Sequence, residues 1–155
     1  MTKPNALLEV QGVSRSFGGL KAVQNVSLEV PQGSLTALIG PNGAGKTTLF
    51  ALLSGFLTPD SGRVVFKGQD ITGQAPHLNA KLGMTRTFQI VQPFAAQTVR
   101  ENIAVGAHLH TASREQALAT AELVAQRVGL ADQLDKLASD LTVAGRKRLE
   151  LARAL

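Results

Sequence analysis

Apolar and polar residues follow a strand-like pattern in the front half of the chain and a helix-like pattern in the back half. The runs at 7–13, 26–30 and 63–67 are short, rich in β-branched residues and bounded by turn residues, which is typical of strands. A loop is predicted at 16–20, between the first two runs. From Thr98 onward, alanine and leucine recur in longer segments that favour helices. The pattern predicts an α/β protein.

Capping residues predict where the helices begin and end. The segments 98–101 and 113–116 each place a threonine or serine three positions before a glutamate or glutamine, which is the capping-box spacing. Gly129 is expected to end the second of these helices, and Thr142 to cap a last one. A short helix or turn is predicted at 134–138.

A glycine-rich segment carries the clearest chemistry of the chain. It has the form G-x-x-x-x-G-K-[ST], in which glycines let successive backbone N–H groups converge on phosphate oxygens. The lysine supplies a cation for the β- and γ-phosphates, and the next hydroxyl is placed for Mg²⁺. The sequence therefore predicts a nucleoside triphosphate site made of Gly40, Pro41, Asn42, Gly43, Ala44, Gly45, Lys46, Thr47 and Thr48.

The surroundings of this loop support the prediction. The apolar run at 34–39 is expected to be a strand, and 47–54 a helix that ends at Gly55. A glycine turn that merely joins a strand to a helix is the alternative. The four required positions match by chance in roughly one such chain in a hundred or fewer.

Composition narrows the class of protein. The chain has 155 residues, 44% of them hydrophobic and 17% charged, which suits one folded domain. It has no cysteine, so disulfides and thiolate metal sites are excluded. It lacks an apolar run of about 20 residues and a signal-peptide core, and we expect a cytosolic protein that can sit against a membrane. The net charge of +5 is spread out, so a solvated face is favoured over a nucleic-acid partner.

Five motifs occur in a fixed order along the chain. They are Phe17-Gly18, the loop at 40–48, Thr58-Pro59-Asp60-Ser61-Gly62, Arg86-Thr87-Phe88-Gln89, and Leu141-Thr142-Val143-Ala144-Gly145 followed by Leu149 to Leu155. Together they resemble an ABC transporter ATP-binding subunit, and the resemblance spans essentially all 155 residues. The residues of the last two motifs are similar to those of the branched-chain amino acid uptake group.

The resemblance implies a P-loop NTPase fold of the ABC type. Such a fold has an N-terminal antiparallel β subdomain, a RecA-like core and an α-helical subdomain. A single, C-terminally incomplete nucleotide-binding domain is expected, with 1–89 as the β-rich part and phosphate-loop core, 90–140 as the helical subdomain and 141–155 as the signature helix.

The resemblance also assigns roles to residues. Phe17 would stack on adenine, Lys46 and Gln89 would be the catalytic residues, and Thr47 and Gln89 would hold Mg²⁺. The signature motif, usually Leu-Ser-Gly-Gly-Gln, departs here, although Thr142 keeps its hydroxyl. Weakened rather than absent binding of a partner's ATP in trans is expected from Thr142, Ala144 and Gly145.

The resemblance further implies ATP and Mg²⁺ as cofactors and a peripheral position at the cytoplasmic face of the inner membrane. Transmembrane permease subunits, a second ATP-binding subunit in a homo- or heterodimer and, indirectly, a periplasmic substrate-binding protein are the expected partners. The apolar segment 90–94 would be an exposed docking loop for the permease, with ordinary packing on the helices as the alternative.

In this family an apolar strand ending in Asp-Glu and a histidine switch come later in the chain. Neither lies within residues 1–155, so the general base is expected beyond them and this chain alone is expected to be inactive. The strand at 35–39 would then have unpaired edges, which predicts poor solubility or dimerisation. His77, His108 and His110 are not expected to bind metal.

The leading hypothesis is an ATP-hydrolysing subunit of an importer for branched-chain amino acids or similar small amides. A lipopolysaccharide-export ATPase of the same type and a nucleotide-binding remnant without turnover are the alternatives. A soluble phosphotransferase or GTPase is a further class, which a strict preference for GTP would favour.

Overall fold

The computed structural model describes residues 6–88 and 90–155. These residues belong to two compact units, Met1–Met84 and Thr85–Leu155. The division lies close to the predicted boundary at residue 89. That both units form one nucleotide-binding domain, with a signature helix that starts at 141, stays a prediction.

The first unit contains a four-stranded antiparallel sheet with the strand order β2-β1-β3-β4. The strands are β1 (Ala6–Phe17), β2 (Leu20–Pro31), β3 (Ser61–Phe66) and β4 (Gln69–Asp70). Both long strands extend beyond their predicted bounds, so the loop expected at 16–20 shrinks to a tight turn. Phe17 pairs with Leu20 across this turn, and Gly18 has a φ of 56°.

The described part of the first unit also contains the helices α1 (Lys46–Leu53) and α2 (Pro76–Lys81). Leucines of α1 pack with apolar residues of the sheet, which places the start of α1 beside the strands. The buried core consists of Val10, Val13, Val23, Leu49, Leu52, Val64, Phe66 and Ile71.

The prediction of a strand at 34–39 is wrong for this structure. The backbone there is irregular, and Leu35 and Ile39 are 102% and 91% exposed. A strand is stable only when neighbouring strands pair with it. Among the described residues no strand pairs with this segment, so its β propensity has no effect.

The second unit is helical. It contains α3 (Val99–Ala107), α4 (Arg114–Val128) and α5 (Val143–Ala154), with 3₁₀ turns at Ala131–Gln133 and Ala138–Asp140. At the crossing of α3 and α5 a Cβ on Gly106 would lie 2.6 Å from the Arg153 carbonyl oxygen, so only glycine permits this approach. The core residues are Val99, Ile103, Ala104, Ala117, Ala121, Val124, Ala125, Leu130, Ala138, Leu141, Leu149 and Ala152.

The predicted caps of these helices are confirmed, but the capping box predicted at 113–116 is only half formed, because the Ser113 N–H donates to the Thr111 hydroxyl. Thr98 and Glu101 form a complete capping box at α3, and the Ser113 hydroxyl accepts from the Gln116 N–H at α4. Gly129 ends α4 in the left-handed conformation, and Thr142 caps α5. The short helix or turn predicted at 134–138 is a turn between the two 3₁₀ segments.

Within the ranges that the structure describes, no helix is long and apolar enough to cross a membrane.

Candidate nucleotide-binding site

The phosphate loop at 40–48 leads directly into α1. Gly43 and Gly45 have φ angles of 81° and 80°, which L side chains rarely adopt. The Ala44 N–H donates to the Pro41 carbonyl at 3.3 Å, and the helical ladder of α1 starts with the bond from the Leu49 N–H to the Gly45 carbonyl at 2.8 Å. The loop is therefore a turned, glycine-dependent segment at a helix N-terminus.

Gly45 also brings the start of α1 against β2. A Cβ built on Gly45 would lie 2.1 Å from the Ala22 carbonyl oxygen, far inside van der Waals contact. Two independent requirements, positive φ and close backbone approach, thus fix glycine at this position. The sheet holds the N-terminus of α1 by this contact.

Lys46 reaches back to the loop that precedes it. Its ammonium donates to the Gly40 carbonyl at 2.6 Å and to the Pro41 carbonyl at 2.7 Å. The side chain thus lies along the loop with its charge at the position where the loop turns. A phosphate oxygen, which is a stronger acceptor than a neutral carbonyl, can replace either bond.

The N-terminus of α1 is free to bind an anion. Gly45, its N-cap, has no side chain, and within the described chain no side chain caps this helix. The N–H groups of the first turn therefore lack intrahelical partners and, together with the helix dipole, favour a negative charge. The first turn has no acidic residue that would oppose this preference, and the Thr47 side chain is exposed. The residues present fit a triphosphate with its Mg²⁺.

Phe17 lies at the end of β1 and is 43% exposed. The guanidinium carbon of Arg15 lies 5.2 Å from the centroid of its ring, within cation–π range. Arg15 in turn binds Asp60, at 2.7 Å. Sequence reasoning singled out Phe17 but missed this partnership, because Arg15 and Asp60 are far apart in the chain.

The predicted role of Gln89 cannot be placed, because Gln89 lies outside the described residues. The residue before it is bound on both sides by α5. The Phe88 N–H donates to the Glu150 carboxylate, and the Phe88 carbonyl accepts from the Lys147 ammonium at 3.3 Å. Sequence reasoning missed both α5 residues, although their i,i+3 spacing puts them on one helix face.

The signature segment 141–145 forms the start of α5. The Thr142 hydroxyl accepts from the Gly145 N–H at 3.2 Å, so this hydroxyl already caps its own helix. Thr142 and Ala144 are exposed, whereas Gly145 is buried in the second unit. A ligand in trans would meet the exposed pair first, and the proposed role of Gly145 stays a prediction.

The segment 90–94 shows both exposure and packing. Ile90 is 77% exposed, whereas the ring of Phe94 lies 4.6 Å from the Arg153 guanidinium carbon. Arg153 also donates to the Gln92 carbonyl at 3.0 Å. Part of this segment is therefore fixed on α5, and Ile90 is the apolar side chain that it leaves most accessible.

Across residues 6–88 and 90–155 no group of three or more histidine, cysteine, aspartate or glutamate side chains is arranged to hold a metal ion. A Mg²⁺ ion at the loop would instead use hydroxyl, phosphate and water oxygens, which suit this hard cation.

Comparison with known proteins agrees with the loop, the sheet and the helical unit. The family model for the ABC transporter domain matches residues 23–155. The chain therefore belongs to the ABC transporter family of ATP-binding domains.

Relatives with specific descriptions match over nearly the whole chain. The high-affinity branched-chain amino acid transport ATP-binding protein LivG of Escherichia coli K12 is 39% identical, over 100% of this chain and 66% of its own length. The probable LivG of Archaeoglobus fulgidus is 38% identical, over 96% of this chain and 63% of its own length. This chain thus spans slightly less than two thirds of these relatives.

A solved structure confirms the fold class. MJ1267, an ATP-binding cassette of an ABC transporter, superposes with a TM-score of 0.84 at 34% identity, over 97% of this chain and 64% of that one. Its ADP conformation gives a TM-score of 0.83. The fold is that of an α/β P-loop NTPase of the ABC type.

Proposed function

We propose that this chain is the ATP-binding part of an ABC importer ATPase for branched-chain amino acids or similar small amides. The observation that carries the proposal is the uncapped N-terminus of α1 with the Lys46 ammonium folded over the preceding loop. The LivG relatives support the substrate class. The lipopolysaccharide-export alternative has no comparable support.

The proposal assigns a role to the second half of the loop and to residues outside it. The N–H groups of 43–48 bind the phosphate oxygens, and Lys46 exchanges its carbonyl partners for the β- and γ-phosphates. Thr47 gives its hydroxyl to Mg²⁺, with Gln89 as a second ligand. Phe17 stacks on adenine. Bound Mg²⁺ would neutralise charge on the phosphates during transfer to water.

The assembly follows from the same proposal. A second ATP-binding subunit would present Thr142, Ala144 and Gly145 to the nucleotide, and transmembrane permease subunits would contact the 90–94 segment. A periplasmic binding protein would act indirectly, and the subunit would lie at the cytoplasmic face of the membrane. The exposure of Thr142, Ala144 and Ile90 is consistent with these contacts.

We further propose that the 155 residues alone bind ATP without turning it over. The loop and the first turn of α1 contain no carboxylate that could polarise water. A phosphate-release assay on the chain tests this, and release that Lys46→Ala abolishes would contradict it.

Binding itself is tested with Lys46→Ala and a matched lysine. Lys46→Ala should lower the affinity for a fluorescent ATP analogue by about 100-fold, because a charge-assisted contact to two phosphates is lost. Lys67 is the control, since its ammonium also donates to a backbone carbonyl, that of Leu82 at 2.7 Å. Lys67→Ala should leave the affinity unchanged. Retained affinity in Lys46→Ala, or an equal loss in both variants, would rule out the assigned site.

A further inference from the structure

The aromatic side chain proposed for adenine stacking has a defined neighbour on its own strand. Arg15 and Phe17 are two residues apart on β1, so their side chains lie on the same face of the sheet. The guanidinium carbon of Arg15 is 5.2 Å from the ring centroid of Phe17. One face of the ring is therefore occupied by the arginine, while the residue remains 43% exposed.

Asp60 holds this arginine in place. Arg15 Nη1 donates to Asp60 Oδ1 at 2.7 Å and to the Thr58 carbonyl at 3.1 Å. The second carboxylate oxygen, Asp60 Oδ2, accepts from the Ser16 N–H at 2.7 Å. One carboxylate thus binds the guanidinium and also the backbone between Arg15 and Phe17.

The backbone of Asp60 is itself tied to β1. Its N–H donates to the Ser14 carbonyl at 2.9 Å, and the next residue, Ser61, pairs with Ser14 at the start of β3. Asp60 therefore extends the contact between β1 and β3 by one residue toward the turn that carries Phe17. An arginine side chain has many rotamers when it is free, and these contacts select one.

We propose that Asp60 and Arg15 are positioning residues for Phe17, which hold its ring so that one face stays open for an adenine base. The inference rests on the proposed function, since it assigns a cause to the stacking step. Base stacking gains affinity when the ring is ordered before the base arrives, because less conformational freedom is lost on binding. Asp60 belongs to the turn motif at 58–62, to which sequence reasoning gave no ligand role.

The first test measures ring order without nucleotide. The chain has no tryptophan, so Phe17→Trp introduces a single fluorescent reporter. Adding Asp60→Asn or Arg15→Gln should lower the anisotropy of the indole and raise its quenching by acrylamide about twofold. Asp70→Asn is the matched control, because Asp70 pairs with Arg63 at 2.7 Å in the same sheet. An indole that responds equally to Asp60→Asn and Asp70→Asn, or to neither, overturns the inference.

The second test separates base binding from phosphate binding. In the chain with Phe17 intact, Asp60→Asn should lower the affinity for ATP by about three- to tenfold and leave the affinity for inorganic tripolyphosphate unchanged. Asp60→Glu, which keeps the charge, should recover part of the loss. Equal losses for both ligands, or a lower melting temperature with no change in the ratio of the two affinities, would show a merely structural role and overturn the inference.

Phe17→Ala distinguishes this inference from the proposed function. If Phe17→Ala leaves the ratio of ATP to tripolyphosphate affinity unchanged, the stacking role fails and the inference fails with it. If Phe17→Ala lowers the ratio and Asp60→Asn does not, the proposed function stands and only the positioning role is wrong. Combined with Phe17→Ala, Asp60→Asn should have no further effect on the ratio.

Discussion

Helices α1 and α3 begin in similar ways, but the N-terminus of α1 is left open to a ligand and that of α3 is closed by its own residues. Each follows an irregular segment, and each carries near its start a side chain that reaches back to the carbonyls of that segment. Lys46 donates to Gly40 and Pro41 from α1, and Asn102 donates to the segment 94–98 from α3. In both helices, side-chain hydrogen bonds to backbone carbonyls thus anchor the preceding segment.

Burial and charge decide whether a ligand can replace these hydrogen bonds. Asn102 is fully buried and neutral, so its carbonyl partners have no competitor. Lys46 is charged and only partly buried, and an anion can take its hydrogen bonds. The caps differ in the same sense. At α3 the capping box of Thr98 and Glu101 is completed by the Val99 and Arg100 N–H groups, which donate to backbone carbonyls at 2.9 Å, whereas Gly45 gives α1 no side-chain cap. An incomplete helix start can bind a ligand, and a complete one gives rigidity.

The strongest test of the comparison adds one methyl group at the start of α1. Gly45→Ala should destabilise the first unit by about 3 kcal/mol or more, because left-handed backbone strain adds to the clash with the Ala22 carbonyl. Gly43→Ala is the control, since its φ is similar but a Cβ there meets nothing within 4 Å. It should cost about 1–2 kcal/mol. Equal losses in urea unfolding would contradict the proposed contact with β2.

The second test removes the buried anchor of α3. Asn102→Ala should cost about 2–4 kcal/mol, because the side chain also accepts from the Phe94 N–H at 2.9 Å and its loss leaves buried backbone groups unpaired. Asn79 is the matched residue, because it is 1% exposed. Within residues 6–88 and 90–155 its side chain bonds only to the Gln74 carbonyl, at 3.4 Å, and its Oδ1 is unsatisfied. Asn79→Ala should cost about half as much in chemical denaturation. A larger loss in Asn79→Ala would show that burial alone, and not the anchored segment, sets the cost.

Local features of the helices could be predicted from the sequence, and long-range contacts could not. The caps at Thr98 and Thr142 depend on residues within three positions, so their spacing was sufficient. The prediction of a strand at 34–39 was wrong, because a strand must pair with other segments and β propensity is a property of one segment alone. The loop at 40–48 was recognised because it is contiguous.

The supports of the candidate site were missed for the same reason. Arg15 and Asp60 are 45 positions apart, and Phe88 and Glu150 are 62 apart. Such contacts depend on sheet register and helix packing, which a single sequence does not state. Residues that carry ligand chemistry were therefore predicted better than residues that hold them.

A smaller effect is expected when the caps themselves are removed. Thr98→Ala should destabilise the second unit by about 1 kcal/mol, because a side-chain cap is lost, and Thr142→Ala should cost a similar amount. Thr47→Ala, in the exposed first turn of α1, should change stability by less than about 0.5 kcal/mol. Thermal unfolding of the three variants measures this order. A loss in Thr47→Ala as large as in Thr98→Ala would mean that α1 is capped after all.

Acidification should weaken the start of α3 without affecting that of α1. Hydrogen bonds from the Thr98 backbone N–H and then from its hydroxyl hold the pKa of Glu101 below its ordinary value. The box is therefore complete above the ordinary pKa and loses its contribution as the pH falls through the lowered one. Amide hydrogen exchange should show α3 opening more often as the pH falls below the ordinary range of a glutamate carboxyl. The first turn of α1, without an acidic residue, should show no such step.

The control variant is Glu101→Gln, which should remove the pH dependence at α3. The titration of Asp70 should stay unchanged in this variant and serves as an internal reference. Its pKa is lowered to about 2, chiefly by the hydrogen bond from the Thr72 side chain. A step that persists in Glu101→Gln would assign the acid sensitivity to another group and separate it from the cap.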